Sequence, residues 1–114
     1  MPCISTKVNM ELNQEKEAAL KTEFGKAISI FPGKSEQWLM LSFEDNCHLF
    51  FRGKNDVPAA LIEVDLFGKI DAEACKAFTK RITAVLEKQL ALDPSNIYIK
   101  YGATDHWGWN GSNF

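Results

Sequence analysis

The chain has 114 residues, of which 46% are hydrophobic and 25% charged, the composition of a globular protein rather than a disordered one. This length fits a single domain covering residues 1–114, and oligomerisation is a natural way for a domain of this size to bury more surface. The formal net charge of -2 provides no general electrostatic attraction to nucleic acid or to an anionic membrane, so we predict neither as a partner.

The first strand and helix are predicted from two different periodicities. Residues 3–10 alternate between apolar and polar positions, as in a half-buried strand. Asn13 is the predicted N-cap of a helix that ends at PGK, residues 32–34. The apolar residues of this helix recur at steps of three and four: Leu20, Phe24, Ala27, Ile28 and Phe31. The next segment, QWLMLSF at residues 37–43, is apolar on both alternating sets, which predicts a strand covered on both faces.

The second half of the chain repeats this order. Residues 59–67 form the next predicted strand, with its apolar side chains on one face and Glu63 and Asp65 on the other. Asp71 is the predicted N-cap of a second helix, which continues to the Asp-Pro pair at residues 93–94. Six side chains of this helix follow helical spacing: Cys75, Phe78, Ile82, Val85, Leu86 and Gln89. IYIKY at residues 97–101 is a further strand, and the tail is aromatic and glycine-rich.

The two halves indicate an internal duplication with an offset of about 58 residues, because the strand of each half and the apolar positions of each helix then coincide. Helical crossovers make the two strands of each half parallel neighbours. We therefore predict an α/β protein of the α+β type, in which duplicated β-α-β units form a four-stranded mixed sheet with two helices on one face. Because the middle strands look apolar on both faces, another copy of the chain is the expected cover for the open face.

Cysteine content and charge distribution indicate where the chain resides. The first part of the chain is interrupted by charged residues, so we predict no secretory signal, no membrane span and a cytoplasmic location. Cys3, Cys47 and Cys75 share no metal or redox spacing and are expected to be reduced thiols. His48 beside Cys47 and the distant His106 are too few ligands for a metal site, and we predict no metal and no cofactor.

The start of the chain, MPCIS, places proline directly after methionine and just ahead of a strand. A small second residue favours removal of Met1, which leaves Pro2 as a free secondary amine. A terminal amine has a pKa near 8, close enough to neutrality for base chemistry. The alternative is that Pro2 merely follows the initiator and has no chemical role.

Five short motifs in order give the chain a resemblance that runs from end to end. They are MPC at the start, GK at residues 33–34, GKI at residues 68–70, IYIKY at residues 97–101 and GWNGSNF at residues 108–114. The chain resembles macrophage migration inhibitory factor and its relatives in the tautomerase superfamily. The resemblance implies a homotrimer with sheets around a central channel, active sites at subunit interfaces, and keto–enol tautomerase activity on phenylpyruvate-like or dopachrome-like substrates.

The resemblance also assigns roles to single residues. Pro2 matches the catalytic base, and Lys34 matches the cation that binds a substrate carboxylate and depresses the pKa of that base; the alternative for Lys34 is a solvated side chain after a helix. Tyr98 matches a tyrosine of the pocket wall. Lys100 stands where the family usually has asparagine, so it either strengthens carboxylate binding, repels Lys34, or is a solvated strand residue.

Four aromatic residues complete the predicted substrate site. Phe67 replaces a smaller aliphatic residue whose backbone contacts substrate, and its bulk is expected to narrow the pocket. Trp107, Trp109 and Phe114 supply flat apolar walls for an aromatic 2-keto acid, or else pack at the trimer interface. AALI at residues 59–62 stands where some members have Cys-x-x-Cys, so thiol oxidoreductase activity has no support.

The predicted activity is therefore that of an isomerase, a cofactor-independent tautomerase with Pro2 as general base. The alternative is a cytokine-like or host-modulating protein that is secreted without a signal peptide, binds a cell-surface receptor and retains only residual tautomerase activity. A third interpretation is an intracellular scaffold trimer whose pocket is blocked by Phe67.

Overall fold

The computed structural model describes every residue from Met1 to Phe114. The chain forms two helices, a four-stranded sheet and a small C-terminal hairpin. In chain order these elements are β1 Pro2–Val8, α1 Gln14–Ala27, β2 Met40–Glu44, β3 Ala60–Phe67, α2 Ala72–Leu90, β4 Ile97–Thr104, β5 Gly108–Trp109 and β6 Ser112–Asn113. Short 3-10 turns at Ile28–Ile30, Glu36–Trp38 and Pro94–Asn96 connect them.

The sheet has the order β2-β1-β3-β4 and is mixed, with parallel outer pairs and an antiparallel central pair. Cys3 pairs with Met40 in the first half and Ala60 with Ile97 in the second, so the partners are separated equally along the chain in both halves. This equality confirms the predicted duplication of a β-α-β unit. The predicted fold class is confirmed as well.

Both helices begin where the sequence predicts. The side chain of Asn13 accepts a hydrogen bond from the backbone N–H of Lys16 at 2.8 Å, and Asp71 caps α2 through the N–H groups of Glu73 and Ala74. Helix α2 ends at Leu90, ahead of the predicted Asp-Pro boundary, because Ala91 adopts a left-handed conformation with φ of 55°. Neither helix is long and apolar enough to cross a membrane.

The hydrophobic core lies between the helices and one face of the sheet. Its side chains come from both halves, and the largest fully buried ones include Phe24 and Phe78 from the helices and Ile4, Ile62 and Leu66 from the central strands. This core holds the first residue of β1, Pro2, in a fixed place beside Leu66.

Thr6 is the exception in this core, because it is 1% exposed and its hydroxyl has no hydrogen-bond partner. We expect Thr6→Val to raise the free energy of unfolding by about 1–2 kcal/mol, since valine keeps the shape and removes a buried polar group that lacks a partner. Urea unfolding at equal protein concentration measures this. The control Thr22→Val, at an exposed position of α1, should change stability by less than about 0.5 kcal/mol. A Thr6→Val protein no more stable than the parent contradicts the prediction.

The predicted start of β2 at residue 37 is wrong, whereas the cover predicted for its second face, another copy of the chain, stays a prediction. Residues 36–38 form a 3-10 turn, the strand begins at Met40, and Met40 is 70% exposed on the edge of the sheet. The open face of the central strands is also more polar than predicted. Cys3, Ser5 and Lys7 lie on it from β1, and Glu63 and Asp65 from β3, because only the alternate residues of these strands face the helices.

Candidate active site

Pro2 opens into a groove of about 660 Å³ at one end of the sheet. Pro2 is buried, and its neighbours Met1 and Cys3 contribute to the same lining. The other walls come from the segment around the 3-10 turn, chiefly Trp38 and Met40, and from the C-terminal hairpin. The lining is mostly hydrophobic, so the groove suits an apolar or aromatic molecule.

Lys34 lies beside the amino end of the chain. Gly33, with a φ of 75°, turns the backbone after α1 in a conformation that glycine adopts without strain. The Lys34 ammonium then donates a hydrogen bond to the carbonyl oxygen of Phe67 at 2.8 Å. It also lies near enough to the Met1 amine for its charge to act on that group. Lys34 therefore lies near the amino terminus within a single chain, and its role beside Pro2 stays a prediction.

The amino terminus is tuned electrostatically. Burial, and after it the nearby charge of Lys34, lowers the pKa of the Met1 amine below its ordinary value of 8.0. Because two cations at one site repel each other, the uncharged amine is favoured. An uncharged amine is the form that acts as a base or a nucleophile.

Phe67 connects the amino terminus to Lys34 through its backbone. Its N–H donates to the Met1 carbonyl at 3.0 Å, while its own carbonyl accepts from Lys34. The phenyl ring packs against the ring of Phe114 with centroids 5.1 Å apart and is not part of the groove lining. The expected narrowing by Phe67 is thus absent from this chain's own groove.

Aromatic rings form a continuous wall at the groove. Trp109 packs edge-on against Trp38 with centroids 5.2 Å apart, and it also contacts Phe114. Trp107 lines the groove, and its carbonyl accepts the N–H of Phe114 at 3.2 Å. The sequence reasoning missed Trp38 because it assigned this residue to a strand.

Tyr98 and Lys100 lie far from Pro2 in the same chain. Pro2 is opposite Leu66, which pairs with Ala103, so Tyr98 is about 17 Å further along β4. The Tyr98 ring is 61% exposed and packs against Phe51 with centroids 5.1 Å apart. One chain therefore does not bring all of the predicted site residues together.

Lys100 has its own partner on the open face of the sheet. Its ammonium is 3.4 Å from a carboxylate oxygen of Glu63 on the neighbouring strand. Repulsion of Lys34 was one of the alternatives for Lys100. The ion pair with Glu63 weakens this repulsion, because the carboxylate offsets the charge of Lys100.

Comparison with known proteins identifies the family. The sequence model for macrophage migration inhibitory factor matches residues 1–114, the whole chain. The chain belongs to this family.

Its relatives support the assignment. Macrophage migration inhibitory factor of Xenopus laevis is 26% identical and covers 100% of this chain and 99% of its own length. The crystal structure of Leishmania major MIF2 has 34% identity and a TM-score of 0.91, and covers 100% of this chain and 97% of that one. A MIF-like protein of Entamoeba histolytica shares the fold, with a TM-score of 0.87 at 20% identity over 99% and 98% of the two chains.

A structure at lower sequence identity also matches. The structure of Pt0534 inactivated by 2-oxo-3-pentynoate has a TM-score of 0.84 at 14% identity, and covers 96% of this chain and 93% of that one. At this identity the likeness shows the fold alone.

The effect of Lys34 on the amine of this MIF-family chain can be measured directly. In the chain that carries Met1, we expect Lys34→Gln to raise the pKa of the Met1 amine towards 8.0 without reaching it, because burial, the larger cause of the depression, remains. NMR titration of isotope-labelled Met1 measures the shift. Lys88→Gln, at an exposed position of α2, is the matched control and should leave this pKa unchanged. If the pKa of the Met1 amine stays the same or falls in Lys34→Gln, the placement of Lys34 near this amine is contradicted.

Proposed function

We propose that this protein is a cofactor-independent isomerase, a keto–enol tautomerase whose general base is Pro2 after removal of Met1. The observation that carries the proposal is the position of Pro2, which is buried at a mostly hydrophobic groove and directly follows the Met1 amine on which the charge of Lys34 acts. The lowered pKa of the Met1 amine supports it, since we expect burial and the charge of Lys34 to act in the same direction on the Pro2 nitrogen once that nitrogen is terminal.

The reaction moves one proton and needs no other reagent. The Pro2 nitrogen removes a proton from the carbon next to the substrate carbonyl, and the electron pair of that C–H bond shifts to the carbonyl oxygen. The protonated Pro2, or water, then returns a proton to that oxygen to give the enol. Lys34 holds the substrate carboxylate, and the fixed ring of Pro2 keeps the nitrogen oriented without freezing additional rotors.

Removal of Met1 exposes the Pro2 amine and also frees a backbone hydrogen-bond donor. It leaves the backbone N–H of Phe67 without the Met1 carbonyl that accepts its hydrogen bond. This N–H then faces the space next to the Pro2 nitrogen, where a substrate oxygen can replace the lost partner. Together with the wall of Trp38, Trp107 and Trp109, these donors favour an aromatic 2-keto acid such as phenylpyruvate.

A homotrimer would complete the site. Exposed apolar side chains lie at both ends of the sheet, with Met40 and Phe114 near the groove and Phe50 and Tyr98 at the far end. Apolar patches at opposite ends suit head-to-tail association, which gives a ring when the rotation between subunits closes. In such a ring the far end of one subunit supplies Tyr98 and Lys100 to the groove of the next, and the polar open face lines a solvent channel.

The second candidate function is that of a cytokine-like protein. The observation that favours it is family membership, since the Xenopus laevis relative is named for inhibition of macrophage migration. In this case the protein leaves the cytoplasm without a signal peptide and engages a cell-surface receptor. Receptor-dependent cell responses that persist in a variant without turnover would favour this function over catalysis.

The deciding experiment combines turnover with covalent labelling. Protein with Met1 removed, verified by intact mass, is assayed with phenylpyruvate and then treated with 2-oxo-3-pentynoate, the compound that inactivates the structural relative Pt0534. We expect measurable turnover, and inactivation that accompanies one added mass on the Pro2 nitrogen. Absence of turnover, or inactivation with the label elsewhere, overturns the proposal.

A further inference from the structure

The turn of the C-terminal hairpin consists of two residues, Asn110 and Gly111. Asn110 is the only asparagine of the chain that a glycine follows. Both residues have a positive φ, 52° for Asn110 and 82° for Gly111, as in the two-residue turns that connect antiparallel strands. Both are exposed, so water reaches the turn from outside.

The atoms of this turn that could react with each other are unhindered. The Gly111 N–H donates no backbone hydrogen bond, and a Cβ built at Gly111 would meet no atom within 4 Å. The Asn9 amide gives the contrast. Its nitrogen donates to the Val57 carbonyl at 2.8 Å and its oxygen accepts the Ala59 N–H at 2.8 Å, whereas the exposed Asn110 amide has no such partners.

The hairpin around the turn is weakly held. Strands β5 and β6 pair only with each other, over two pairs of residues, and do not join the four-stranded sheet. An isolated two-stranded hairpin is marginally stable in water. The turn can therefore open, and bring the Gly111 nitrogen onto the Asn110 side chain, while the core stays folded.

We propose that Asn110 is a site of spontaneous deamidation, and that its isoaspartate product releases Trp109 from the wall of the groove. Trp109 directly precedes Asn110 and packs edge-on against Trp38 with centroids 5.2 Å apart. A change in the length of the turn thus acts on a residue that lines the groove. The reaction requires no tautomerase activity.

The chemistry needs only water as a co-reactant. The Gly111 nitrogen gives up its proton and forms a bond to Cγ of Asn110. The bond from Cγ to the side-chain nitrogen breaks, and that nitrogen takes a proton and leaves as ammonia. Water then opens the resulting five-membered imide at one of its two carbonyl carbons, which gives either aspartate or isoaspartate.

The two products differ in their effect on the hairpin. Aspartate keeps the length of the backbone and, before glycine, is compatible with the positive φ of this turn. In isoaspartate the main chain runs through the former side chain and is one carbon longer. The turn then no longer places Trp109 opposite Ser112, and the indole of Trp109 loses its fixed position against Trp38.

Peptide mapping of aged protein tests the reaction. The full chain and a synthetic peptide of residues 107–114 are incubated at mildly alkaline pH, and the product at each asparagine is identified by mass spectrometry. We expect the folded chain to lose the Asn110 amide at a rate within about tenfold of that of the peptide, because the hairpin opens at little cost. The loss should be at least about tenfold faster than at Asn9, whose two hydrogen bonds must first break. A folded chain slower than this range, or equal loss at Asn9, overturns the proposal.

Two variants separate the longer backbone from the added charge. Asn110→Gly keeps a turn that suits two positive φ values and has no amide to lose, and Asn110→Asp has the charge of the product with the original backbone. We expect the nuclear Overhauser contacts between the Trp38 and Trp109 indoles to disappear in the isoaspartate form of the wild-type chain. They should persist in Asn110→Asp and in Asn110→Gly after the same incubation. Contacts that survive in the isoaspartate form, or that are lost equally in Asn110→Asp, contradict the release of Trp109 by isoaspartate.

Discussion

Pro2→Gly is expected to lower kcat/KM for phenylpyruvate by about 10²–10⁴-fold, the range by which a positioned general base accelerates proton transfer. Glycine also permits removal of Met1, so an α-amine remains at the same position. That amine is primary, is attached through a flexible backbone and no longer has the ring that orients the nitrogen beside Lys34. A steady-state assay of enol formation, with the processed amino terminus verified by mass, measures the loss.

A matched proline substitution controls for this result. Pro94→Gly changes an exposed proline in the connection between α2 and β4, away from the groove, and should keep turnover near the wild-type level. Turnover by Pro2→Gly within about threefold of wild type contradicts the assignment of Pro2 as general base, because losing a base costs at least about 10²-fold.

Much of the fold could be predicted from sequence because the signals are local. Alternation in β1 and β3 reflects one face packed on the helices, and the caps at Asn13 and Asp71 satisfy helix N–H groups a few residues away. The duplication was detectable because each half repeats the same strand and helix periodicities. None of these inferences needed contacts between distant parts of the chain.

The parts that the sequence did not predict depend on such distant contacts. The segment around Trp38 has the composition of a strand, yet it forms a 3-10 turn whose tryptophan packs on Trp109 near the other end of the chain. From the sequence alone Lys100 had no predicted partner, and only the pairing of β3 with β4 places Glu63 beside it. Periodicity reports which side of an element is apolar, and it does not report what covers that side.

The candidate site also contains one residue that the sequence placed correctly near the amino terminus and one that a single chain does not bring there. Family motifs placed Lys34 near the amino terminus, and the geometry of Gly33 and the Phe67 carbonyl gives the physical reason. The same motifs placed Tyr98 in the pocket, where a single chain does not bring it. The difference between these two residues makes the sharing of a site between subunits directly testable.

Mixing two defective subunits should therefore restore activity. We expect Tyr98→Ala alone to lose roughly 10–100-fold in kcat/KM through misplacement of the substrate, and Pro2→Gly to lose more. In trimers formed at random from equal amounts of both variants, half of the sites have an intact Pro2, and half of those receive an intact Tyr98 from the next subunit. Turnover should recover to about one quarter of wild type.

The control pair uses two residues of the same groove. Trp109 and Pro2 line one groove within one chain, so a mixture of Pro2→Gly and Trp109→Ala subunits contains no site in which both are intact. Its turnover should stay at the average of the two parents. Recovery in the control would mean that Trp109 reaches the Pro2 site from a different subunit. No recovery in the Pro2→Gly and Tyr98→Ala mixture, when native mass spectrometry shows mixed trimers, would mean instead that each subunit builds its site alone. The far end of the sheet, with Tyr98 against Phe51, would then serve only for packing between subunits.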